Sequence, residues 1–195
     1  MATLNRNKLK EIQDILDQEE WKLVSLADFS EAGPPEENGA TFAENALIKA
    51  RAAHGLTGLP CVADDSGLEV DVLEGRPGIY SSRFAGPQAT DRENNDKLLR
   101  LLSGTAEGSR TGRFTCAVAL VTDRSEHTVE GYCPGMILDH ARGDQGFGYD
   151  PLFFVPDLGK TFAEIPLEQK NRISHRSIAF RKMAEWIHQT GFHNL

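Results

Sequence analysis

Two adjacent carboxylates end an apolar run about a third of the way along the chain. Asp64 and Asp65 follow the segment LPCVA and precede Ser66 and Gly67. Adjacent like charges repel each other, so the pair is unfavourable unless something neutralises it. Carboxylate oxygens suit Mg²⁺, which keeps several waters and binds phosphates. A water activated beside them is a route to phosphoanhydride hydrolysis. The alternative is a solvated turn that one Asp caps.

A second group of acids lies in a loop upstream of this pair. The segment EAGPPEENG, residues 31–39, is rich in Pro and Gly and contains Glu36 and Glu37. These acids are candidates for binding the same cation. The alternative is an acidic loop that is only solvated.

The N-terminal segment TLNRNK, Thr3 to Lys8, could hold phosphate. It stands immediately before a stretch with helical spacing of apolar residues. A helix N-terminus offers free N–H groups and a partial positive charge, to which Lys8 adds a full charge. Thr3 and Asn5 could add side-chain hydrogen bonds, although an ordinary helix cap explains them equally well.

Two later segments could recognise a flat, polar base. In GFGYD, Gly146 to Asp150, glycines flank an aromatic ring, so Phe147 could stack on a base while neighbouring backbone groups bind its edge. In KNRISHR, the cations Lys170, His175 and Arg176 gather near a helix start, where they oppose the helix dipole. An anion or a purine edge would account for them. The alternatives are an aromatic core turn and a solvated basic face.

Composition limits the class of protein. The chain has 195 residues, 39% hydrophobic and 26% charged, which is typical of a soluble globular protein. Its formal charge of −8 argues against a general nucleic-acid binder. No apolar run reaches the roughly 20 residues of a membrane span, and the N-terminus lacks the apolar core of a signal peptide. We therefore expect a cytoplasmic protein without a membrane partner.

The three cysteines are predicted to be buried, reduced thiols. Cys61, Cys116 and Cys133 are far apart, odd in number and located in strand-like segments. They lack the paired spacing of a metal site.

Apolar spacing and turn residues predict the elements that position these segments. Mixed strands and helices in this order indicate an α/β protein with a largely antiparallel or mixed sheet. The predicted helices are 7–19, one opened by a Thr41–Glu44 capping box, one from a Thr90–Glu93 box to Leu102, a short one after Thr161–Glu164, and a last one capped by Ser174. The predicted strands are 21–26, 59–63, a hairpin of 112–122 and 127–138, and a short aromatic strand after the loop at 143.

Together the segments carry what a nucleoside triphosphate requires, and their order is familiar. The motifs TxNxxK, ENAxxKA, ADDSGLxVDxLxGxPGIYSxRFxG, GFGYDPLFF and ISHR closely resemble the non-canonical purine nucleoside triphosphate pyrophosphatases, also called inosine/xanthosine triphosphate pyrophosphatases. The resemblance extends from Thr3 to the last helix. It implies an α/β fold in which residues 1–195 form a single domain of two lobes around a long mixed β-sheet flanked by helices.

The resemblance also implies an activity. Such enzymes hydrolyse inosine, deoxyinosine and xanthosine triphosphates to the monophosphate and pyrophosphate with Mg²⁺, which removes deaminated purines from the nucleotide pool. It further implies a cytoplasmic homodimer that binds no nucleic acid.

Roles for individual residues follow from the same resemblance. Asp65 is expected to be the general base or a metal ligand, while Asp64 hydrogen-bonds nearby backbone and supports the turn. Glu36 is the expected second metal ligand, with Glu37 as the alternative. Ser66 and Lys170 are expected to contact the substrate. A phosphate loop is expected to be formed by Thr3, Leu4, Asn5, Arg6, Asn7 and Lys8. The base pocket is expected to be lined by Phe147, Gly148, Tyr149 and Asp150, with His175 and Arg176 at the purine edge.

One feature departs from the family pattern. The family normally begins with a strand before TxNxxK, whereas here only Met1 and Ala2 precede Thr3. We expect the true start to lie upstream.

Two rival functions stay open on the sequence alone. A Maf-like pyrophosphatase for other modified nucleotides would be separated by a panel of substrates. A nucleotide-binding regulator would bind without releasing pyrophosphate. A purely structural protein would leave the clustered acids, the basic helix start and the Gly-flanked aromatic unexplained.

Overall fold

The elements of the fold are seen in a computed structural model that describes residues 1, 6–16, 23–29 and 35–191. The α-helices in this part of the chain are α1 (Arg6–Ile15), α2 (Phe42–Thr57), α3 (Asp91–Leu101), α4 (Leu167–Ile173) and α5 (His175–Thr190). The strands are β1 (Cys61–Val70), β2 (Thr111–Val121), β3 (Glu126–Ile137), β4 (Phe153–Val155) and β5 (Lys160–Thr161).

The described strands form one antiparallel sheet in the order β1-β2-β3-β4-β5. The predicted hairpin is present as β2 and β3, and its turn is closed where the Thr122 amide donates to the carbonyl of Ser125 at 3.0 Å. Strand β4 pairs with β3 and with β5, in a register that places Ile137 opposite Phe153. The predicted α/β fold is therefore confirmed, with an antiparallel sheet.

The chain divides into two compact units. The first unit comprises Met1–Asp65, Cys116–Gly131 and His175–Leu195, and the second comprises Ser66–Thr115 and Tyr132–Ser174. Each has its own apolar core. The first core includes Ile12, Val118, Phe180, Met183 and Ile187, and the second includes Leu68, Phe114, Ile137, Phe153 and Phe162.

Capping chemistry was predictable from the sequence. Both boxes at Thr90–Glu93 and Thr161–Glu164 are formed. Thr41 caps α2 by accepting from the Glu44 amide, while the Glu44 carboxylate accepts from the amide of Ala40. Ser174 directly precedes α5 and is the C-cap of α4.

The strand that carries the acidic pair is longer than predicted. The sequence indicated an end at residue 63, but β1 continues through Asp64 and Asp65 to Val70. The prediction failed because it treated Ser66 and Gly67 as a turn, whereas Gly67 is buried within the strand. The predicted strand at 21–26 is also wrong in its described part, where Leu26–Asp28 form a 3-10 turn. Helix α1 is assigned to Ile15, and residues 17–20 lie outside the described residues.

The predicted state of the thiols is confirmed. Cys61, Cys116 and Cys133 are buried and free. Burial raises the pKa of Cys133 to about 11, so this thiol stays protonated. Of the helices described, none is long and apolar enough to cross a membrane.

Strand β3 and helix α5 approach each other closely in the first unit at Gly131. A Cβ at this position would overlap the carbonyl oxygen of His175 and lie 2.5 Å from the amide nitrogen of Ala179. Both neighbours are backbone atoms, which cannot rotate away. The packing of α5 on β3 therefore depends on the missing side chain.

We expect Gly131→Ala to lower the free energy of unfolding by about 2 kcal/mol or more, because an extra methyl overpacks this contact. Gly55→Ala is the matched control, since Gly55 is exposed in α2 with nothing near its missing Cβ. Alanine there should raise the free energy of unfolding by about 0.5–1 kcal/mol. Urea denaturation measures both, and a Gly131→Ala chain as stable as the parent would contradict the close approach.

Candidate active site

Asp65 is held by two side chains of helix α2 in the first unit. The Lys49 ammonium lies 2.9 Å from Asp65 Oδ1, and the Asn45 amide nitrogen donates to Oδ2 at 3.1 Å. Asn45 and Lys49 are four residues apart, so they lie on the same face of the helix. Both carboxylate oxygens of Asp65 are thus fixed by donors from one element.

Asn45 also connects Asp65 to the acidic loop. The side chain is fully buried, and its Oδ1 accepts from the Gly39 amide at 2.9 Å while its nitrogen donates to Asp65. A Cβ on Gly39 would come within 2.7 Å of that oxygen, so only glycine fits here without a shift. The end of the loop is therefore positioned relative to Asp65 by one amide side chain.

Lys49 brings a second carboxylate to the cluster. Its ammonium lies 3.0 Å from Glu37 Oε1, so the same cation is shared by Glu37 and Asp65. Glu36 points elsewhere, since it is exposed and makes no hydrogen bond or ion pair with the rest of the described chain. The geometry thus favours the alternative of the two sequence-based choices, Glu37, as the acid beside Asp65.

The environment shifts the pKa values of this pair. Burial raises the pKa of Asp65 above its ordinary value, and the nearby charge of Glu37 acts in the same direction, against the opposing effects of Lys49 and Asn45. Burial alone would lower the pKa of Lys49, but the charge and hydrogen bond of Asp65 outweigh it and the pKa of Lys49 is raised. A carboxylate with increased proton affinity therefore faces a lysine that stays protonated.

Asp64 is buried on its own ion pair. Arg176 Nε lies 3.6 Å from Asp64 Oδ2, and the two side chains are 4% and 1% exposed. The Cys116 thiol also approaches Asp64 Oδ2, at 3.9 Å. The expected role of Asp64 in a turn is wrong, because β1 continues through it. Arg176 pairs with Asp64 inside the first unit, and His175 beside it is buried too. Their expected contacts with a purine edge stay a prediction.

The second unit contains the Gly-flanked aromatic loop. Phe147 is 59% exposed, whereas Tyr149 and Asp150 beside it are buried. Asp150 Oδ2 accepts from the Phe147 amide at 3.1 Å and from the Lys170 ammonium at 2.5 Å. Lys170 was expected to bind substrate, but its ammonium is buried under this loop, 5.1 Å from the centre of the Phe147 ring.

The amide groups at the tip of the loop are already paired. The Gly148 amide donates to Asp91 Oδ2 at 2.7 Å, and its carbonyl accepts from the Asn95 side chain at 2.9 Å. Tyr149 donates its hydroxyl to the carbonyl of Ser81 at 2.9 Å, and burial raises the pKa of this phenol. The N–H groups of Phe147 and Gly148 are thus used within the protein, contrary to the expectation that they would bind a base edge.

Other predicted residues are placed less fully. Thr3, Leu4 and Asn5 lie outside the described residues, and Arg6, Asn7 and Lys8 open α1 with side chains that are not described. Ser66 is half-buried in β1, directly after Asp65. Asp65 is the last residue of the first segment of the first unit, and Ser66 is the first residue of the second unit.

Comparison with known proteins places the chain in a family. A sequence model described as the Ham1 family matches residues 1–186. This chain belongs to the Ham1 family. The resemblance inferred from its motifs is confirmed, and the fold agrees: a HAM1 protein from Coxiella burnetii superposes with a TM-score of 0.89 at 41% identity, covering 96% of each chain.

Among its relatives are proteins named dITP/XTP pyrophosphatase. That of Desulforamulus reducens is 47% identical over 194 residues, which is 99% of this chain and 96% of the relative. That of Geobacter sulfurreducens is 49% identical over 188 residues, 96% of this chain and 94% of the relative.

Lys49 and Asn45 were not assigned any role from the sequence, although both lie in ENALIKA, one of the segments on which the resemblance was based. A signal was available. Two polar residues four apart interrupt the buried face that Ala46, Ala50 and Ala53 form on α2. Buried polar side chains require partners, so this pattern indicates a functional or structural contact.

The donor set of this Ham1-family site fits a magnesium ion bound together with phosphate. Within the described ranges, no three His, Cys, Asp or Glu side chains gather closely enough to hold a metal ion by themselves. Mg²⁺ is commonly bound through one or two carboxylates, with water and substrate oxygens completing the shell. Asp65 and Glu37 offer two such hard oxygen ligands around a shared cation.

The raised pKa of Asp65 predicts a pH-dependent stability effect. A group with a raised pKa in the folded state stabilises the fold below its ordinary pKa, and this stability is lost as pH rises through the folded-state pKa. Asp65→Asn removes the ionisation. We therefore expect the Tm of Asp65→Asn, measured in EDTA, to rise relative to the Tm of the parent as pH increases from about 4 to about 8.

Thermal melts across this pH range test the expectation. Glu36→Gln makes the same change in net charge at an exposed loop position and serves as the control. An equal pH-dependent gain in both variants would show that net charge, rather than the environment of Asp65, is responsible.

Proposed function

We propose that this chain hydrolyses non-canonical purine nucleoside triphosphates, those of inosine, deoxyinosine and xanthosine, to the monophosphate and pyrophosphate. The observation that carries the proposal is the cluster of Asp65, Lys49 and Glu37 in a chain 47% identical to a dITP/XTP pyrophosphatase. The cluster combines a partly buried carboxylate with a fixed cation, and these groups can accept a proton from water and neutralise phosphate charge.

Asp65 acts as the general base in this proposal. It takes a proton from water as the water oxygen bonds to the α-phosphorus, and the bond from the α-phosphorus to the bridging oxygen of pyrophosphate breaks. A raised pKa improves a carboxylate as a proton acceptor near neutral pH. Lys49 holds the carboxylate in one orientation through its contact with Oδ1.

Asp65 and Glu37 are the residues that would hold Mg²⁺. When bound, the ion neutralises charge on the phosphate oxygens. Lys49 supplies a second, permanent positive charge at the same place, because its pKa is raised by the carboxylates around it. Removing a fixed cation of this kind costs roughly 10²-fold in rate when it contacts the charge that develops in the transition state.

Phe147 provides a surface for the purine. Stacking on an exposed aromatic ring is tolerant of base identity, because every base has a π-face. Selectivity for a 6-oxo purine over adenine needs protein groups that hydrogen-bond to the 6-oxo purine and are left unpaired by the 6-amino group of adenine. His175 and Arg176 are retained as proposed contacts for the purine edge on the resemblance alone.

A cytoplasmic homodimer belongs to the same proposal. Both features are implied by the family resemblance, and light scattering on the purified chain tests the dimer.

Pyrophosphate release is the direct test of the activity. We expect Mg²⁺-dependent release from inosine triphosphate, with much slower release from adenosine and guanosine triphosphates. In ¹⁸O-labelled water the label should enter the monophosphate rather than pyrophosphate, because water attacks the α-phosphorus. Asp65→Asn should lower kcat by about 10²-fold or more.

Each outcome of that assay has a clear meaning. Binding of inosine triphosphate without any release would make the chain a nucleotide-binding regulator. Label in pyrophosphate would move the attack to the β-phosphorus. An Asp65→Asn chain with near-normal kcat would remove Asp65 from the chemistry.

The two loop acids are separated by their effect on Mg²⁺ dependence. We expect Glu37→Gln to raise the Mg²⁺ concentration for half-maximal rate by about tenfold or more, because it removes an oxygen ligand. Glu36→Gln is the matched variant, one residue away and without a contact to Lys49. A larger effect of Glu36→Gln in a Mg²⁺ titration would overturn the choice of Glu37.

A further inference from the structure

Two side chains of helix α3 hydrogen-bond to the backbone amide and the backbone carbonyl of Gly148 in the aromatic loop. Asp91 accepts from the Gly148 amide at 2.7 Å, and Asn95 donates to the Gly148 carbonyl at 2.9 Å. Asp91 and Asn95 are four residues apart and lie on one face of the first turns of α3. Gly148 has a φ of +61°, in the left-handed region that favours glycine.

The helix does not need these two side chains for its own start. Thr90 and Glu93 already form the capping box of α3, so the Asp91 carboxylate is left to bind the loop. The Asn95 Oδ1 is buried and has no hydrogen-bond partner among the described residues, and its nitrogen makes the contact with Gly148. Both side chains are therefore directed at Gly148 rather than at the helix.

The loop is fixed on its other side as well. Asp150 holds the Phe147 amide and the Lys170 ammonium, and that ammonium lies over the Phe147 ring. Phe147 thus has a restrained residue on each side along the chain and a cation near its ring. In spite of these restraints the ring is 59% exposed.

An exposed ring on a fully restrained loop contributes little to folding. Burial of an aromatic side chain stabilises a fold, and a ring that is 59% exposed forgoes much of that gain. Holding the ring still has a use only if a partner binds to it. A rigid platform loses less conformational entropy on binding than a mobile one.

We propose that Asp91 and Asn95 are positioning residues for base binding. By holding the amide and the carbonyl of Gly148, they keep the Phe147 ring presented for stacking on a purine. This inference rests on the proposed function, because it names the residues that prepare the base platform of that reaction.

The test compares variants by KM and kcat separately. Stacking on an aromatic side chain contributes to base binding, so Asn95→Ala and Asp91→Ala should raise KM for inosine triphosphate by about tenfold. Loss of binding that is equal in the ground state and the transition state leaves kcat unchanged, and we expect kcat to change by less than about twofold.

Conservative and distant variants serve as controls. Asp91→Asn retains an oxygen that can accept from the Gly148 amide, so its KM should stay close to that of the parent. Asp96→Ala removes an exposed carboxylate of the same helix that pairs only weakly with Arg92, at 4.0 Å, and it should leave KM unchanged.

A double-mutant cycle shows whether Asn95 acts on base binding through the Phe147 ring. In a Phe147→Ala background, Asn95→Ala should add no further increase in KM, because the group that it positions is gone. A merely structural role would lower Tm and raise KM by the same factor in both backgrounds.

The inference is overturned if Asn95→Ala and Asp91→Ala leave KM unchanged in an active enzyme, or if their effects persist in full without the Phe147 ring. Either result would leave the proposed function intact. Failure of the parent chain to release pyrophosphate from inosine triphosphate would instead overturn the proposed function, and this inference with it.

Discussion

The site in the first unit depends on the pairing of two adjacent aspartates, Asp64 and Asp65, with two different cations. Successive side chains of a strand point to opposite faces, so the continuation of β1 through Asp64 and Asp65 directs their charges apart. Asp64 meets Arg176, and Asp65 meets Lys49. Each aspartate thereby forms an ion pair with a different cation, so the strand can carry both charges although Asp64 is buried and Asp65 is half-buried.

The distribution of charge around Lys49 sets the chemistry. One ammonium serves both Asp65 and Glu37, so the cluster carries more negative than positive charge. Burial and the charge of Glu37 raise the pKa of Asp65, whereas the surrounding carboxylates keep Lys49 protonated against the opposing effect of burial. In the second unit, Asp150 and Asp91 accept hydrogen bonds from the backbone amides of the loop around Phe147, and Lys170 neutralises Asp150. The Phe147 ring itself is exposed.

Contacts between residues close in sequence were predictable, whereas contacts between residues far apart in sequence were not. The capping boxes at Thr90 and Thr161 and the hairpin depend on neighbours close in sequence, and they are present. The contacts of Lys49 with Asp65 and of Asn95 with Gly148 join residues far apart in sequence. Spacing along α2 indicates that Asn45 and Lys49 make a contact, but it does not identify the distant partner. For the same reason Glu36 and Glu37 were indistinguishable until the position of Lys49 was known.

A nucleotide site usually combines affinity for a base with discrimination among bases. The hydrogen-bonded amides of the aromatic loop separate these two properties. The N–H groups of Phe147 and Gly148 donate to Asp150 and Asp91 within the protein. In the proposed reaction, the loop would therefore stack on a purine without using these two amides to bind its edge. Affinity and discrimination then reside in different side chains. A substitution in α3 or in the loop would tune how long any purine stays, while preference among purines could evolve elsewhere in the chain without disturbing that residence time.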